Sequence, residues 1–247
     1  YETGVSVEDE KRLMATVKEI QSEYGARNPY ARYKKVFTVE EVLKSPVVCD
    51  PLHLYMICAV SSGAGAAIVS NMETAKKITD KPVRVLASTV GSAVFNEPSP
   101  RLVYFATAGG KRAEKPFIEW RKPIEAAYKQ AGITAEDIDI IECHDTSCFH
   151  PINWIDQIMG WEREETDKLI KERQIRHDGK LPVNLSGGTA SFGESVMSQA
   201  LMMIHELFRQ LRGEAGERQA KKNLKIGLCT AYGAYGAYGA ILLEKAW

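Results

Sequence analysis

Segments with the pattern of a β-strand alternate along the chain with segments with the pattern of a helix. Two β-branched runs predict strands, VRVLASTVGS at 83–92 and IDIIEC at 138–143. The clearest helix is SVMSQALMMIHELFRQLRG at 195–213. Its apolar residues recur at helical spacing, at Met197, Leu201, Ile204, Phe208 and Leu211. A chain that alternates in this way packs helices on a sheet, so we expect an α/β layered fold.

Residues with capping or turn preferences mark further boundaries. Ser6 is placed to cap a helix over 5–25 that Gly25 ends, and Thr38 with Glu41 forms a capping box before a short helix. The remaining predicted elements are a strand then a helix within 61–78, a helix over 115–132, a helix beginning near 153, and two closing strands within 225–245. The triplet AYG, repeated three times over 231–239, predicts a wide hairpin loop with aromatic packing.

The composition excludes several classes of protein. Lys plus Arg and Asp plus Glu number 32 each, so the net charge is zero and no basic run suggests binding to nucleic acid. The longest apolar run, LHLYMICAV at 52–60, is too short to span a membrane, and we expect no signal peptide. Five scattered cysteines without a CxxC pair indicate free thiols in a reducing compartment, so we expect a cytoplasmic protein.

The stretch ECHDTSCFH, residues 142–150, concentrates the side chains most suited to chemistry. A zinc site is disfavoured because Cys143 and His144 are adjacent, and neighbouring residues of a strand point to opposite faces. We therefore predict no metal site. If the strand ends near Cys143, His144 and Asp145 lie just past the carboxyl end of a buried parallel strand, where open α/β sheets bind ligands. His144 would then donate to an oxyanion with Asp145 fixing its tautomer; the alternative is a histidine satisfied by backbone carbonyls.

A second informative stretch is NLSGGTASFGES, residues 184–195, directly before the long helix. A glycine-rich loop that enters a helix brings backbone N–H groups close to a phosphate, carboxylate or thioester oxygen. The alternative is a tight connection between a strand and a helix.

Taken in order, five segments resemble the thiolase superfamily, and specifically the C-terminal half of sterol-carrier and lipid-transfer-protein-type thiolases, which are similar to acetyl-CoA acetyltransferases. They are NPYARYKKVFTVEEVLKSPVVCDPLHL (28–54), SSGAGAAIV (61–69), AGITAEDIDIIECHD (131–145), LPVNLSGG (181–188) and QLRGEAGERQ (210–219). The resemblance implies a thiolase-like layered fold, with helices packed on a mixed β-sheet. Residues 1–52 would be part of the loop domain, 53–81 the last strand and helix of the N-terminal half, and 82–247 the C-terminal domain.

The resemblance also implies site residues. His144 matches the histidine that helps form an oxyanion hole for a CoA thioester. The predicted substrate-binding and CoA-binding residues are Ser61, Ser62, Gly63, Asp145, Phe149, Ser186, Gly187 and Gly188. The nucleophilic cysteine of the family would lie upstream of Tyr1, in an N-terminal half on the same chain or a separate one.

Two departures from the family pattern concern the expected bases. Glu194 stands where the family has the histidine of a Gly-His-Pro motif, and a buried glutamate with a raised pKa can act as a base. Cys229 lies near the position of the family's C-terminal cysteine base, although a buried strand thiol is an equal alternative. Tyr232 or Tyr235 would otherwise face the pocket.

Three functions remain open at this point. The first is a thiolase-type acyltransferase acting on a 3-oxoacyl-CoA, with coenzyme A as substrate and no bound cofactor. The second is a thiolase-fold retro-aldolase that cleaves the side chain of a 3-hydroxyacyl-CoA. The third is a non-catalytic subunit that binds CoA esters. The resemblance implies a homodimer or hetero-oligomer, and a possible small zinc-ribbon and OB-fold partner that binds acyl-CoA.

Overall fold

The computed structural model describes residues 6–92, 118–233 and 237–247. Its helices are α1 (Val7–Arg27), α2 (Val39–Leu43), α3 (Met72–Ile78), α4 (Ile118–Ala131), α5 (His150–Met159), α6 (Arg163–Lys171), α7 (Gly188–Phe192) and α8 (Gln199–Leu211). Its strands are β1 (Val47–Cys49), β2 (Leu52–His53), β3 (Val83–Gly91), β4 (Ile140–Cys143), β5 (Ile226–Gly233) and β6 (Ala237–Lys245). None of the helices in these ranges is long and apolar enough to cross a membrane.

Four strands form a mixed sheet in the order β3-β6-β5-β4. β4 runs parallel to β5, whereas β6 is antiparallel to both β5 and β3. Helix α4 packs on β3 and β6, and α8 packs on β4 and β5. All four residues of β4 are buried, as expected for a parallel strand covered on both faces. The predicted α/β layered fold, with helices on a mixed sheet, is confirmed; the division at residues 52 and 81 stays a prediction.

Both predicted N-caps are present, but the end of α1 differs from the expectation. The Ser6 side chain accepts from Asp9 N, and Thr38 with Glu41 forms the full capping box. Helix α1 passes through Gly25 and ends at Arg27. A Cβ added to Gly25 would lie 2.5 Å from Ser191 Cβ, so this glycine lets α7 approach the helix rather than stopping it.

The strand predicted within 61–70 is absent, and residues 61–70 have no regular secondary structure. Its backbone makes two hydrogen bonds to residues elsewhere in the described part, from Ser61 N to Glu194 O at 2.8 Å and from Ser198 Oγ to Gly63 O at 3.1 Å. The segment has strand-forming residues but no partner strand among the described residues. The predicted helix that follows is α3, which Asn71 caps.

The helix predicted over 195–213 is α8, but its buried residues are not the set that the apolar spacing marks. Phe208 remains 39% exposed and the side chain of Met197 lies outside the described part, whereas the buried residues are Gln199, Met203, Glu206, Leu207, Gln210 and Leu211. Polar residues enter the interior here because Glu206 pairs with buried Arg218 at 2.8 Å, and Gln210 donates to Arg218 O. Apolar periodicity alone does not detect a buried ion pair.

Three other boundaries differ from the expectation. Helix α5 begins at His150, with Pro151 in its first turn, because proline fits the first turn of a helix. The described part of the helix predicted over 115–132 is α4. The described residues of the AYG repeat lie in the paired strands β5 and β6, with Gly233 opposite Ala237, so they are not part of the predicted loop, and residues 234–236 lie outside the described residues. Tyr235 lies outside the described residues.

Replacing Gly25 by Ala tests the close contact of α1 with α7. The added methyl overlaps Ser191, and overpacking of this kind costs about 1–3 kcal/mol, more than the gain in helix propensity of about 1 kcal/mol. We expect a lower free energy of unfolding in urea. Gly233→Ala is the control, since its Cβ would meet only Ala237, at 3.7 Å or more. A Gly25→Ala protein more stable than the wild type would contradict this packing.

Candidate active site

His144 is the first residue after β4. Hydrogen bonds from other elements hold its main chain and the main chain of Cys143 in place. His144 N donates to Thr230 O of β5 at 2.9 Å, and Trp154 Nε1 donates to His144 O at 2.9 Å. The Asn184 side chain bonds both main-chain groups of Cys143, accepting from N at 2.7 Å and donating to O at 3.1 Å. The sequence placed His144 past a buried parallel strand, and the structure places it there.

The imidazole of His144 lies between two acceptors. Nδ1 is 3.2 Å from the carbonyl oxygen of Tyr232, and Nε2 is 2.7 Å from Glu194 Oε2. A carbonyl oxygen only accepts, so Nδ1 carries a proton. Nε2 and Glu194 therefore share one further proton, either as imidazolium with carboxylate or as imidazole with carboxylic acid. His144 and Glu194 are both buried, so this proton is held in a low dielectric.

Glu194 is fixed by the backbone on both sides. Its main chain pairs with residues 59–61, through Glu194 N to Ala59 O at 2.7 Å and Ser61 N to Glu194 O at 2.8 Å. Its Oε1 accepts from Val196 N at 2.9 Å. Val196 has a φ of 52°, which is strained for a β-branched residue. The chain thus bends sharply just after the carboxylate that contacts His144.

Tyr232 packs directly on His144. The two rings stack with centroids 4.4 Å apart, and the Tyr232 hydroxyl bonds Thr146 Oγ1. Behind it, Trp120 and His150 also stack on the Tyr232 ring. Burial raises the pKa of Tyr232, so its hydroxyl keeps its proton at neutral pH. Tyr232 therefore fixes the imidazole plane and offers a neutral donor beside it.

Asp145 does not orient His144, contrary to the expectation. Its Oδ2 accepts from Gln21 Nε2 at 2.6 Å and its Oδ1 accepts from Thr189 N at 2.8 Å. A Cβ at Gly188 would lie 2.3 Å from Asp145 Oδ2, so the Asp145 carboxylate fills the space beside this glycine. Asp145 thus connects α1 to α7, and the carbonyl of Tyr232 sets the tautomer of His144.

The SGG loop, residues 186–188, packs between strand β4 and helix α1. Ser186 donates from N to Glu142 Oε1 at 3.0 Å and from Oγ to Glu142 Oε2 at 2.7 Å. A Cβ on Gly187, whose φ is 107°, would lie 2.8 Å from the backbone of Gly25. Ser186, Gly187 and Gly188 are buried and line neither of the cavities described below. Their role in substrate binding stays a prediction.

Two further predicted residues lie away from the His144–Glu194 pair. Cys229 is buried within β5, where burial raises the pKa of its thiol. Phe149 precedes α5, with the Arg163 guanidinium 5.9 Å from its ring centroid. Neither lines either of the two cavities described below. The described ranges also contain no group of three or more His, Cys, Asp or Glu residues placed to hold a metal ion.

Two cavities are lined by residues next to Glu194 in the chain or in contact with it. The first, of about 250 Å³, is lined by His144, Tyr232 and Val196. The second, of about 530 Å³, is lined by Arg32, Ser195 and the predicted CoA-binding residues Ser61, Ser62 and Gly63. Ser195 and Val196 are neighbours in the chain but line different cavities. The structure therefore brings together His144, Glu194 and Tyr232 at one cavity, with Ser61–Gly63 at the next.

Three residues that hold the site were not predicted from the sequence: Asn184, Thr146 and Gln21. Asn184 has a φ of 52°, a conformation that Asn tolerates better than most residues, and its place before the SGG loop was a usable signal. Thr146 lies within the ECHDTSCFH stretch but has no property that marks it. Gln21 is a polar residue of an amphipathic helix, and no local pattern indicates that it is buried.

Comparisons with known proteins agree on one family. The thiolase C-terminal domain-like family model matches residues 111–244. Acetyl-CoA acetyltransferase of Methanothermobacter thermautotrophicus is 32% identical over 98% of this chain, and sterol carrier protein 2 of Gallus gallus is 32% identical over 79% of it. The chain spans 59% and 35% of these two relatives, respectively.

A solved structure titled Ltp2-ChsH2(DUF35) aldolase has the same fold. It matches 100% of this chain and 60% of its own chain, with a TM-score of 0.79 and 20% sequence identity. At this identity the likeness concerns the fold alone.

The Asp145 carboxyl gives the site a pH dependence that unfolding can measure. Burial raises the pKa of Asp145 to about 6, from its ordinary value of 3.8. The folded state thus binds this proton more tightly than the unfolded state, so ionisation destabilises the fold as the pH rises from about 4 to about 6. A shift of about two pKa units corresponds to about 3 kcal/mol.

We expect the Asp145→Asn variant to lose this pH dependence. Over pH 4 to 7, the free energy of unfolding in urea should fall by about 2–3 kcal/mol more in the wild type than in the variant. Asp80→Asn, on the surface, is the control and should follow the wild type. Parallel curves for wild type and Asp145→Asn would show that Asp145 is not held in this buried contact.

Proposed function

The chain belongs to the thiolase superfamily through its C-terminal domain-like region, and on that premise we propose that it forms the C-terminal part of an acyl-CoA acyltransferase. The reaction makes or breaks a carbon–carbon bond in a 3-oxoacyl-CoA. The observation that carries this proposal is the His144–Glu194 pair, at 2.7 Å, at the end of a buried parallel strand and beside a cavity. Coenzyme A enters as a substrate, and no bound cofactor is required.

The His144–Glu194 pair can stabilise the negative charge that develops on the enolate in this reaction and can supply the proton that the enolate takes up. A cysteine thiolate attacks the 3-oxo carbon, the bond between C2 and C3 breaks, and its electron pair becomes the enolate of acetyl-CoA. His144, in its imidazolium form, donates Nε2–H to the enolate oxygen, and Glu194 then delivers the shared proton to C2. The thiol of a second molecule of coenzyme A returns a proton to the pair, its thiolate attacks the carbonyl of the acyl-cysteine, and the cysteine leaves as a thiolate. The proton shared by Nε2 and Oε2 is the one that this sequence of steps needs.

We propose that the nucleophilic cysteine comes from an N-terminal half, on the same polypeptide or a separate one. Cys143, Cys148 and Cys229 are buried. Burial and, to a smaller extent, nearby Glu194 raise the pKa of the Cys58 thiol to about 12, which makes it a poor nucleophile. The chain also spans only part of its curated relatives, which leaves length for the missing half.

An exposed apolar segment supports a partner beside the site. Ile68 is 98% exposed and Val69 is 81% exposed. Within the described ranges, residues 62–70 make no backbone–backbone hydrogen bond. Exposed apolar residues with unpaired backbone groups are typical of a surface that another part of a protein covers. We also propose, from the resemblance, that a small zinc-ribbon and OB-fold protein binds acyl-CoA as a partner of this chain.

The second cavity suits the polar end of a CoA ester. Arg32 lies on its wall and donates to Ser61 Oγ at 3.3 Å, which leaves guanidinium donors for a phosphate. This segment lies close to the reactive pair, because Ser61 N donates to Glu194 O and the Glu194 carboxylate contacts His144. We propose that coenzyme A lies along this cavity with its thioester at His144.

Tyr232 supports a second candidate, retro-aldol cleavage of a 3-hydroxyacyl-CoA. Its hydroxyl bonds Thr146 Oγ1 and its ring stacks on His144, at the wall of the first cavity. Retro-aldol cleavage needs a base for the 3-hydroxyl proton and a donor for the enolate, but no nucleophilic cysteine. With Glu194 as the base and His144 as the donor, Tyr232 would relay the proton.

Variants of the pair test its role in catalysis. We expect His144→Ala to lower kcat about 10²–10³-fold through loss of the oxyanion donor. Glu194→Gln keeps a hydrogen bond to His144 but cannot carry the proton, so we expect kcat to fall about 10²-fold or more. Both are measured with acetoacetyl-CoA and coenzyme A, with the full polypeptide or complex. Glu172→Gln on the surface is the charge control; an unchanged rate in either site variant would refute the assignment.

Intact mass spectrometry with acetoacetyl-CoA or a 3-hydroxyacyl-CoA separates the three functions. An acyl adduct on any chain of the complex, with consumption of coenzyme A, supports the acyltransferase. Cleavage of the 3-hydroxyacyl-CoA without an adduct or use of coenzyme A, abolished by Tyr232→Phe, supports the retro-aldolase. Binding of CoA esters with neither adduct nor cleavage supports the non-catalytic subunit.

A further inference from the structure

His150 is a buried histidine that the proposed reaction does not use. It is the first residue of α5 and only 3% exposed. Its ring stacks on the ring of Tyr232 with centroids 5.4 Å apart, and Tyr232 stacks on His144 at 4.4 Å. Tyr232 therefore connects a buried histidine at the start of α5 to the histidine of the reactive pair.

The hydrogen bonds of His150 indicate that its Nδ1 carries no proton. Ser147 N, which only donates, lies 2.9 Å from Nδ1. Ser147 O lies 3.2 Å from the same atom, but it could bond only a protonated Nδ1. Burial opposes the charged form and, together with the nearby charge of His144, lowers the pKa of His150 to about 3. His150 is therefore a neutral imidazole whose Nδ1 lone pair faces the turn at residues 146–147.

This lone pair sets the direction of two hydroxyl groups. Thr146 Oγ1 lies 3.5 Å from His150 Nδ1 and also bonds the Tyr232 hydroxyl. Because Nδ1 accepts on one side of Thr146, the Thr146 oxygen accepts the proton of the phenol on the other. The main chain of Thr146 is held as well, since its carbonyl oxygen accepts from Cys58 N at 3.0 Å. The Tyr232 hydroxyl is thus anchored to a turn that is itself fixed.

Tyr232 in turn holds His144 by two contacts. Its ring stacks on the imidazole, and its carbonyl oxygen lies 3.2 Å from His144 Nδ1. A rotation of the Tyr232 side chain would release the imidazole plane, and with it the direction of Nε2 toward Glu194 and the substrate carbonyl. A neutral His150 also leaves the positive charge of the site to His144, because two neighbouring imidazolium ions would repel each other.

We propose that His150 is a positioning residue, a neutral imidazole that orients His144 through Thr146 and Tyr232. His150 lines neither of the two cavities, so it acts on the ring of His144 and not on the ligand. The proposal rests on the role of His144 in the proposed function, and it adds how that ring is kept in place. It follows that the site needs an acceptor at the position of Nδ1 rather than a second ionisable group.

Two substitutions of similar volume separate the acceptor from packing. Asn places an oxygen near the position of Nδ1, whereas Leu has no acceptor, and both lose every contact that the rest of the ring makes. With acetoacetyl-CoA, coenzyme A and the full polypeptide or complex, we expect His150→Leu to lower kcat about 10–100-fold and to change KM less than about threefold. His150→Asn should keep kcat within about fivefold of the wild type, because its oxygen replaces the one acceptor that orients the turn.

Thr146 offers a second pair of variants, which serves if the His150 variants do not fold. Thr146→Val removes the hydroxyl at nearly constant shape and should lower kcat as His150→Leu does, whereas Thr146→Ser keeps the hydroxyl and the rate. The double variant His150→Leu/Thr146→Val should be no slower than either single variant, because both act through the Tyr232 hydroxyl. Thr74→Val is the control, since Thr74 is exposed on α3 and lines neither cavity.

Solvent exchange of the His144 ring N–H protons tests the proposal without turnover. It is measured by NMR on protein labelled in its histidines, with the His144 signals identified by their absence in His144→Ala. We expect exchange at least about tenfold faster in His150→Leu and Thr146→Val than in the wild type, because the imidazole is less firmly held. His150→Asn and Thr146→Ser should exchange at nearly the wild-type rate.

The outcomes separate this proposal from the proposed function. Equal kcat and equal exchange in His150→Leu and His150→Asn, or additive effects in the double variant, refute the positioning role. The proposed function then still stands if His144→Ala lowers kcat. If acetoacetyl-CoA is not cleaved, or His144→Ala leaves kcat unchanged, the proposed function fails, and the exchange rates alone decide whether His150 holds the ring. Loss of kcat with faster exchange, both restored by Asn at 150 and Ser at 146, supports the proposal.

Discussion

The close packing of α1 against α7 and against the turn after β4 is the contact on which the rest of the site depends. Gly25 and Gly187 meet without side chains between them. Gln21 donates to Asp145, and Lys18 donates to Ala190 O at 2.6 Å. Burial lowers the pKa of Lys18 and raises that of Asp145. Two ionisable groups are thus buried to hold one helix in place, and this cost is met by hydrogen bonds at each group.

This packing determines where Glu194 lies. Asp145 fixes the start of α7 through Thr189, and α7 ends at Phe192, two residues before Glu194. The main chain of Glu194 is then held by residues 59–61. A helix at the start of the chain therefore positions a carboxylate far along it. The short distance to His144 depends on contacts that are not themselves part of the pair.

The two cavities differ in character. The first is small, apolar and lined by His144 and Tyr232, whereas the second is larger and lined by Arg32 and three serines. A CoA ester has the same division, with a hydrocarbon group and a charged nucleotide on either side of the thioester. The proposed reaction fits this division, because it requires the thioester carbonyl at His144.

The sequence by itself determined the features that depend on neighbouring residues. Ser6 and Thr38 begin helices because a cap bonds backbone only three residues away, and β-branched runs place β4 and β3. The motif order indicated the family, and with it His144. Only the tertiary structure decided that Glu194, and not the adjacent Asp145, contacts His144, and that Gln21 and Asn184 hold the site. It also decided which face of α8 is buried, through the pairing of Glu206 with Arg218. These contacts join residues distant in the chain, and local periodicity carries no information about which polar group will find a partner when the elements pack.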